Sequence, residues 1–244
     1  MRLRRTPLTI TASLTVTTLI AAGVADVTLA DTARQRVVHA ASCKLHPTGR
    51  VTAQLTDTFA GLRVLGGDLG TVHVTADGVQ QAGTAMNIDA VLHNVTTHGS
   101  TDGGTATATI PYSALQQRFG PAAAGMTFGT DGTGLTMTGT LSGMGLPYTV
   151  QTSITTTANS LVLTPTDVTV LGQKIAASAL GSMLGTGLQA RTLALPALPA
   201  SARLTGVRPD PDGLSLLLSI PHTSQLGAST PGTTTGAGCA KAKA

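Results

Sequence analysis

The chain has 244 residues and a formal net charge of +4, but Arg2, Arg4 and Arg5 sit at its extreme start; without them 12 Lys and Arg face 11 acids. A body this close to neutral, with only 2% aromatic residues, lacks the phosphate-neutralising stripe and the stacking rings that nucleic-acid binding requires. Glutamate is absent, so paired-carboxylate chemistry would rest on Asp alone, while the length suits one domain with a sizeable core.

Residues 1–25 read as an export segment. Arg2 to Arg5 form a positive start, Pro7 to Ala25 carry no charge, and small-x-small sites end at Ala25 and Ala30. The uncharged run approaches the roughly 20 apolar residues that span a bilayer, so both a cleaved signal peptide and an N-terminal anchor are open. Either places the remainder outside the cytoplasmic membrane, secreted or held at its outer face in the cell envelope. In an exported chain the two cysteines are expected to pair as Cys43–Cys239, closing a loop worth about 5 kcal/mol in the chain-entropy model. That link would tie a Ser/Thr/Gly-rich tail, 223–244, to the start of a domain over 26–222. Lipid modification of Cys43 is disfavoured, because Ala40 stands where a lipobox has Leu and four charged residues separate Cys43 from the apolar run.

Leu29, Ala33, Val37, Ala41 and Leu45 recur every four residues, which predicts a helix over 26–46 that ends at Pro47 and Gly49. Val51–Leu55 reads as a strand, and Phe59, Leu62, Val64, Leu65 and Leu69 form a dense apolar cluster. Gly70 to Tyr112 then alternates with period two through three strands. Val72, Val74 and Ala76 share one face of the first; Met86, Ile88, Ala90 and Leu92 one face of the second; Ala106, Ala108 and Ile110 one face of the third. Gly78 and Gly103–Gly104 supply the breaks. Tyr112–Phe119 fits a short helix stopped by Gly120–Pro121. Three Thr-alternating strands follow, then a second amphipathic helix over Gln173–Leu188, a connector at Pro196 and Pro199, and a terminal hairpin turning at Asp210–Gly213.

The residues that usually carry chemistry are scattered. Most Asp side chains adjoin Gly or Pro, as turn residues do, and the six histidines include no pair at a metal-ligand spacing. There is no nucleophile elbow, and the Gly-rich Gly185–Ala190 run closes a helix instead of following a strand. Asn94-Val95-Thr96 is a glycosylation sequon only in a host that modifies exported proteins. No catalytic, metal or cofactor site is expected, which points to a non-enzymatic protein. The inward faces are built from Val, Ala, Leu, Ile and Met, with few bulky rings to fill space. They fit either a solid core or an open apolar cavity.

Several motifs in order carry a resemblance: TFAGLRVLGGDLGTVHVTADGV, VLHNVTTHGSTDGGTATATIPYSAL, LPYTVQTSITTTANSLVLTPTDVTVLG and LTGVRPDPDGLSLLLSI. From about Arg34 to Ser219 the succession resembles the LmeA-like family of actinobacterial envelope proteins. The resemblance implies an α+β fold similar to tubular lipid-binding domains, in which a strongly curved antiparallel sheet wraps one or two amphipathic helices around an apolar channel. It implies binding of a phospholipid or other acyl lipid near a membrane surface, with no catalytic residue to transfer and no protein partner named. The lining expected for such a channel is Leu62, Leu65 and Leu69, then Val72 and Val74, then Met86, Ile88 and Leu92, and finally Ala106, Ala108 and Ile110. A solid-cored envelope scaffold without a lipid is the alternative.

Overall fold

The computed structural model describes residues 29–58, 60–81, 83–140, 145–157, 160–179, 189–194 and 202–224. A first helix, α1 (29–45), leads into β1 (Val51–Leu55), a short α2 (Ala60–Leu65), and the long strands β2 (Asp68–Gln81), β3 (Thr84–Thr96) and β4 (Gly103–Pro111). The three strands are those that the period-two alternation predicts. They join β11 (Arg203–Asp210) and β12 (Gly213–Ile220) in an antiparallel six-stranded sheet ordered β1-β2-β3-β4-β12-β11.

Register makes that sheet's inner face a set of apolar rows, because residues paired across antiparallel strands point to the same side. One row runs Ala53, Val74, Ala90, Ala106, Leu218, and the next Val51, Ala76, Ile88, Ala108, Leu216. Two packed clusters share the face. Ala30 and Ala33 of α1 lie with Leu55, Leu69, Val72 and Val74, small helix residues allowing close approach to the sheet. Ala76, Met86, Ala108, Ile110 and Leu216 belong to the larger cluster. The loop after α1 is stitched to β2 where Gly78 takes φ +65°: Thr48 N donates to Gly78 O at 3.1 Å and Gly49 N to Asp77 O at 3.0 Å.

After β4 the chain turns directly into α3 (Tyr112–Phe119), which buries Ala114 and Leu115 and ends at Gly120, φ +59°. A second antiparallel sheet, also six-stranded, contains β5 (Thr127–Thr130), β6 (Leu135–Thr140), β7 (Pro147–Thr156), β8 (Ser160–Val170), β9 (Gln173–Ala176) and β10 (Arg191–Ala194). Its order is β10-β8-β7-β6-β5, with β9 on β8 as well. Leu135, Met137, Val150, Leu161, Leu163 and Val168 pack into the cluster that holds the far end of the first sheet.

The architecture is therefore α+β, with antiparallel strands divided between two sheets, neither strongly curled, where one wrapped sheet was expected. The expected helix over Gln173–Leu188 starts instead as a strand. Leu171 (φ +48°) and Gly172 (φ +79°) form a two-residue turn of the hairpin type, which pairs Val170 with Gln173 and extends β9 to Ala176 before helix begins at 177. Positions 180–188, Phe59, Pro196, Pro199, Cys239 and the residues before 29, where an export segment is expected, lie outside the described residues.

Candidate functional site

The centre of the first sheet's inner face is not sealed. Ile88, Ala90 and Leu92 on β3 are each only half-buried, although neighbours on either side in β2 and β4 are buried: Val72 is 1% exposed and Ala108 3%. β3 is where the two clusters meet, Ile88 and Ala90 resting on the larger and Leu92 on the α1 cluster. Val37, Val38 and Ala41 of α1, and Leu204 and Ile220 at the opposite edge, are also half-buried apolar residues against these clusters. An apolar strip with partial solvent access thus crosses a central strand, where a closed core would bury it.

Of the residues expected to line an apolar channel, nine lie on this face: Leu69, Val72, Val74 and Leu92 on the α1 side, and Met86, Ile88, Ala106, Ala108 and Ile110 on the other. Leu62 and Leu65 do not join them. They project from α2 into solvent, 37% and 72% exposed, while Arg63 between them bonds Asp57 at 2.6 Å and Asp68 at 2.5 Å. That fork pins the helix to the start of β2. Six residues span too few turns to bury both leucines on one stripe while Ala60 and Gly61 occupy the packed side.

The outer face is polar and self-satisfied. His73 Nε2 lies 2.9 Å from Asp89 Oδ2, and the hydroxyls of Thr52 and Thr75 are 2.6 Å apart. Asp68 accepts the Gly70 N–H at 2.8 Å, which with Arg63 holds its carboxyl below the ordinary range despite opposing desolvation. Burial pushes the Tyr112 hydroxyl up, aided by the Asp210 charge, and it donates to Asp210 O at 2.6 Å across the terminal hairpin. Among the described residues no group of three or more His, Cys, Asp or Glu could hold a metal, and no helix is long and apolar enough to cross a membrane.

A second locus lies in the other sheet. A crevice between α3 and β6, β7, β8 and β10 is walled by Phe119, Met126, Met137, Leu163 and Pro165, with Thr152, Gln189 and Arg191 as its polar members. Its free space is about 10 Å³, room for one water and not for an acyl chain. Two of the polar residues are inward-facing. Thr152 lies opposite Leu135 and is 2% exposed; Arg191 lies opposite buried Leu163. Arg191 was not anticipated from sequence, although its alternation with exposed Thr192 and half-buried Leu193 places it on the apolar side.

Neither a curated protein nor a solved structure matches this chain. The chain does match the family described as LmeA-like phospholipid-binding over residues 24–219, a span that contains α1, α3 and every strand of both sheets except the last residue of β12. By that match it belongs to the LmeA-like phospholipid-binding family.

Proposed function

We propose that this protein is an exported, non-enzymatic phospholipid-binding protein of the cell envelope that holds acyl chains against the inner face of its first sheet. The half-exposed strip Ile88–Ala90–Leu92 carries this reading. It offers methyl and methylene surface, without a charge among these three residues, at the junction of two packed clusters. Acyl burial there would gain roughly 0.8 kcal/mol per methylene removed from water. The family membership supports the ligand class, and the uncharged run Pro7–Ala25 behind an Arg-rich start supports export, with a membrane surface as the working neighbour. Native mass spectrometry of the purified chain, with lipid extraction, is expected to recover bound phospholipid. Recovery of none, together with no uptake from liposomes, would sink the reading.

A solid-cored scaffold is the second reading, favoured by the small crevice and by the closed packing of Leu135, Leu161 and Val168. It predicts that Ala90→Phe leaves every binding property intact. A Cys43–Cys239 link is also proposed, tying the tail to α1, where Cys43 Sγ lies 3.9 Å from His39 Nε2. Thiol alkylation without reductant is expected to label neither cysteine; labelling of both would remove the link.

A further inference from the structure

We infer that the crevice at Arg191 is an oxyanion site that receives one phosphate oxygen of a lipid headgroup, and this deepens the phospholipid-binding reading on which it rests. The site arises from a seam in the second sheet. β9 pairs with β8 over Asp167–Val170 and β10 pairs with it over Ser160–Leu163, leaving Thr164, Pro165 and Thr166 unpaired on that edge. Pro165 has no N–H to offer a further strand, and the β7–β8 register shifts beside it, between Gln151 and Thr152. The seam thus opens beside the first residue of β10, which is Arg191.

Arg191 is a cation in an apolar wall. Its guanidinium stands 5.9 Å from the centre of the Phe119 ring, and among the described residues no carboxylate pairs with it. The sole carboxylate of β8, Asp167, is paired with Lys174 at 3.2 Å. Asp167 also lies on the opposite face, since its neighbour Val168 is 0% exposed and paired with buried Val150.

The second, independent observation is Thr152, which lines the same crevice and whose buried hydroxyl has no hydrogen-bond partner. Such a group carries an uncompensated desolvation cost unless a partner reaches it. The Gln189 side chain, exposed at the lip, adds an amide donor. A guanidinium fork, a hydroxyl and an amide in one lining, with no competing anion among the described residues, form a donor set for a phosphate oxygen. In the ligand-free protein the space suits one water.

The test compares three probes on the full chain: fluorescent phosphatidic acid, the matching diacylglycerol, and inorganic phosphate. Arg191→Met is expected to weaken phosphatidic acid binding roughly tenfold or more, the loss of a charge-assisted contact, while diacylglycerol binding stays within about twofold. Thr152→Val keeps the shape and removes an unsatisfied hydroxyl, so it is expected to fold at least as well and still weaken phosphatidic acid several-fold. It therefore decides the matter if Arg191→Met does not fold. Unchanged phosphatidic acid binding in both variants, or equal loss of both lipids, overturns the headgroup site and leaves lipid binding standing. Arg191-dependent binding of inorganic phosphate with no lipid bound keeps the oxyanion site, assigns it to free phosphate and overturns the lipid reading. Binding of none of the three probes by the unsubstituted chain overturns both.

Discussion

The two sheets handle their inner faces differently. The first places half-exposed apolar residues at its centre, on β3, with buried ones to either side. The second seals its centre, with Leu135 and Val168 at 0% exposure, and puts its irregularities at a seam where Thr152 and Arg191 face inward. One sheet thus offers apolar area and the other polar recognition. The half-exposed positions Ile88, Ala90 and Leu92 fall where the two packed clusters meet, while Ala106 and Ala108 beside them are covered. The seam of the second sheet follows from Pro165, which interrupts an edge that would otherwise pair throughout.

The strongest way to break this comparison is to ask whether the sheets are separate at all. Leu216 in β12 is 1% exposed and Leu135 in β6 is 0% exposed, and both belong to one packed cluster. Leu216→Ala and Leu135→Ala are each expected to cost about 2–5 kcal/mol in urea unfolding, in a single transition. Two resolved transitions, each sensitive to one substitution only, would make the sheets independent domains.

A smaller effect sharpens the contrast between sealed and half-open positions within the first sheet. Ala108 is 3% exposed, so Ala108→Phe overpacks it at about 1–3 kcal/mol. Ala90 is half-buried on the next row, where a ring can lie over the strip. Ala90→Phe is expected to leave stability within about 1 kcal/mol and to reduce phospholipid uptake, read by lipid extraction. Equal destabilisation by both substitutions would mean that the strip is as closed as its surroundings.

A still smaller change probes the second sheet. Leu171 holds φ +48° with 71% of its surface exposed, a conformation that disfavours L-residues by roughly 1–2 kcal/mol. Leu171→Gly is expected to raise stability by about 0.5–1 kcal/mol, the lower figure allowing for glycine's unfolded-state entropy. If that variant also detaches the protein from anionic vesicles, the exposed leucine has a membrane-contact role and the division of labour between the sheets is incomplete.

Much of the fold was legible because period two is a local property. Val72-Val74-Ala76 and Ala106-Ala108-Ile110 announce their face without any knowledge of partners, and Tyr112–Phe119 announces a helix between a proline and a glycine. Alternation does not say which sheet a strand joins, so the division into two sheets was hidden. β9 was hidden for a different reason: Ile175, Ala179 and Met183 keep a helical spacing, and the Leu171–Gly172 turn that pairs Gln173–Ala176 with β8 contains a leucine where Asn or Gly is the usual signal. Leu62 and Leu65 are placed among the lining by hydrophobicity alone, and that signal does not tell that they are exposed on a six-residue helix. Arg191 reads as an outward position because a charged side chain in a short run is ordinarily solvated, although both its alternation with Thr192 and its pairing with Leu163 place it inward.

The smallest predicted effect separates the sheets by their acid response. Asp68, in the first sheet, is lowered chiefly by the Gly70 N–H, then by Arg63, against desolvation. Asp131, at the β5–β6 turn, gathers more donors: the N–H groups of Gly134 (2.8 Å) and Thr133 (2.9 Å), the Thr133 hydroxyl (2.8 Å) and the Gln151 amide (2.8 Å). Its carboxyl is held further below the ordinary value of 3.8. Both folded-state values are depressed, so each contribution to stability is complete above the unfolded carboxylate value and is lost as pH falls through the folded one. Carboxyl carbon chemical shifts followed from pH 5 downward are therefore expected to move for Asp68 below 3.8 and for Asp131 only at still lower pH. Asp131→Asn keeps one acceptor oxygen but loses the charge, and it should flatten the lowest part of the acid limb without touching stability changes above pH 4. A midpoint for Asp131 at or above that of Asp68 would show that the β5–β6 turn opens before the first sheet does, and the sealed sheet would then be the more labile of the two.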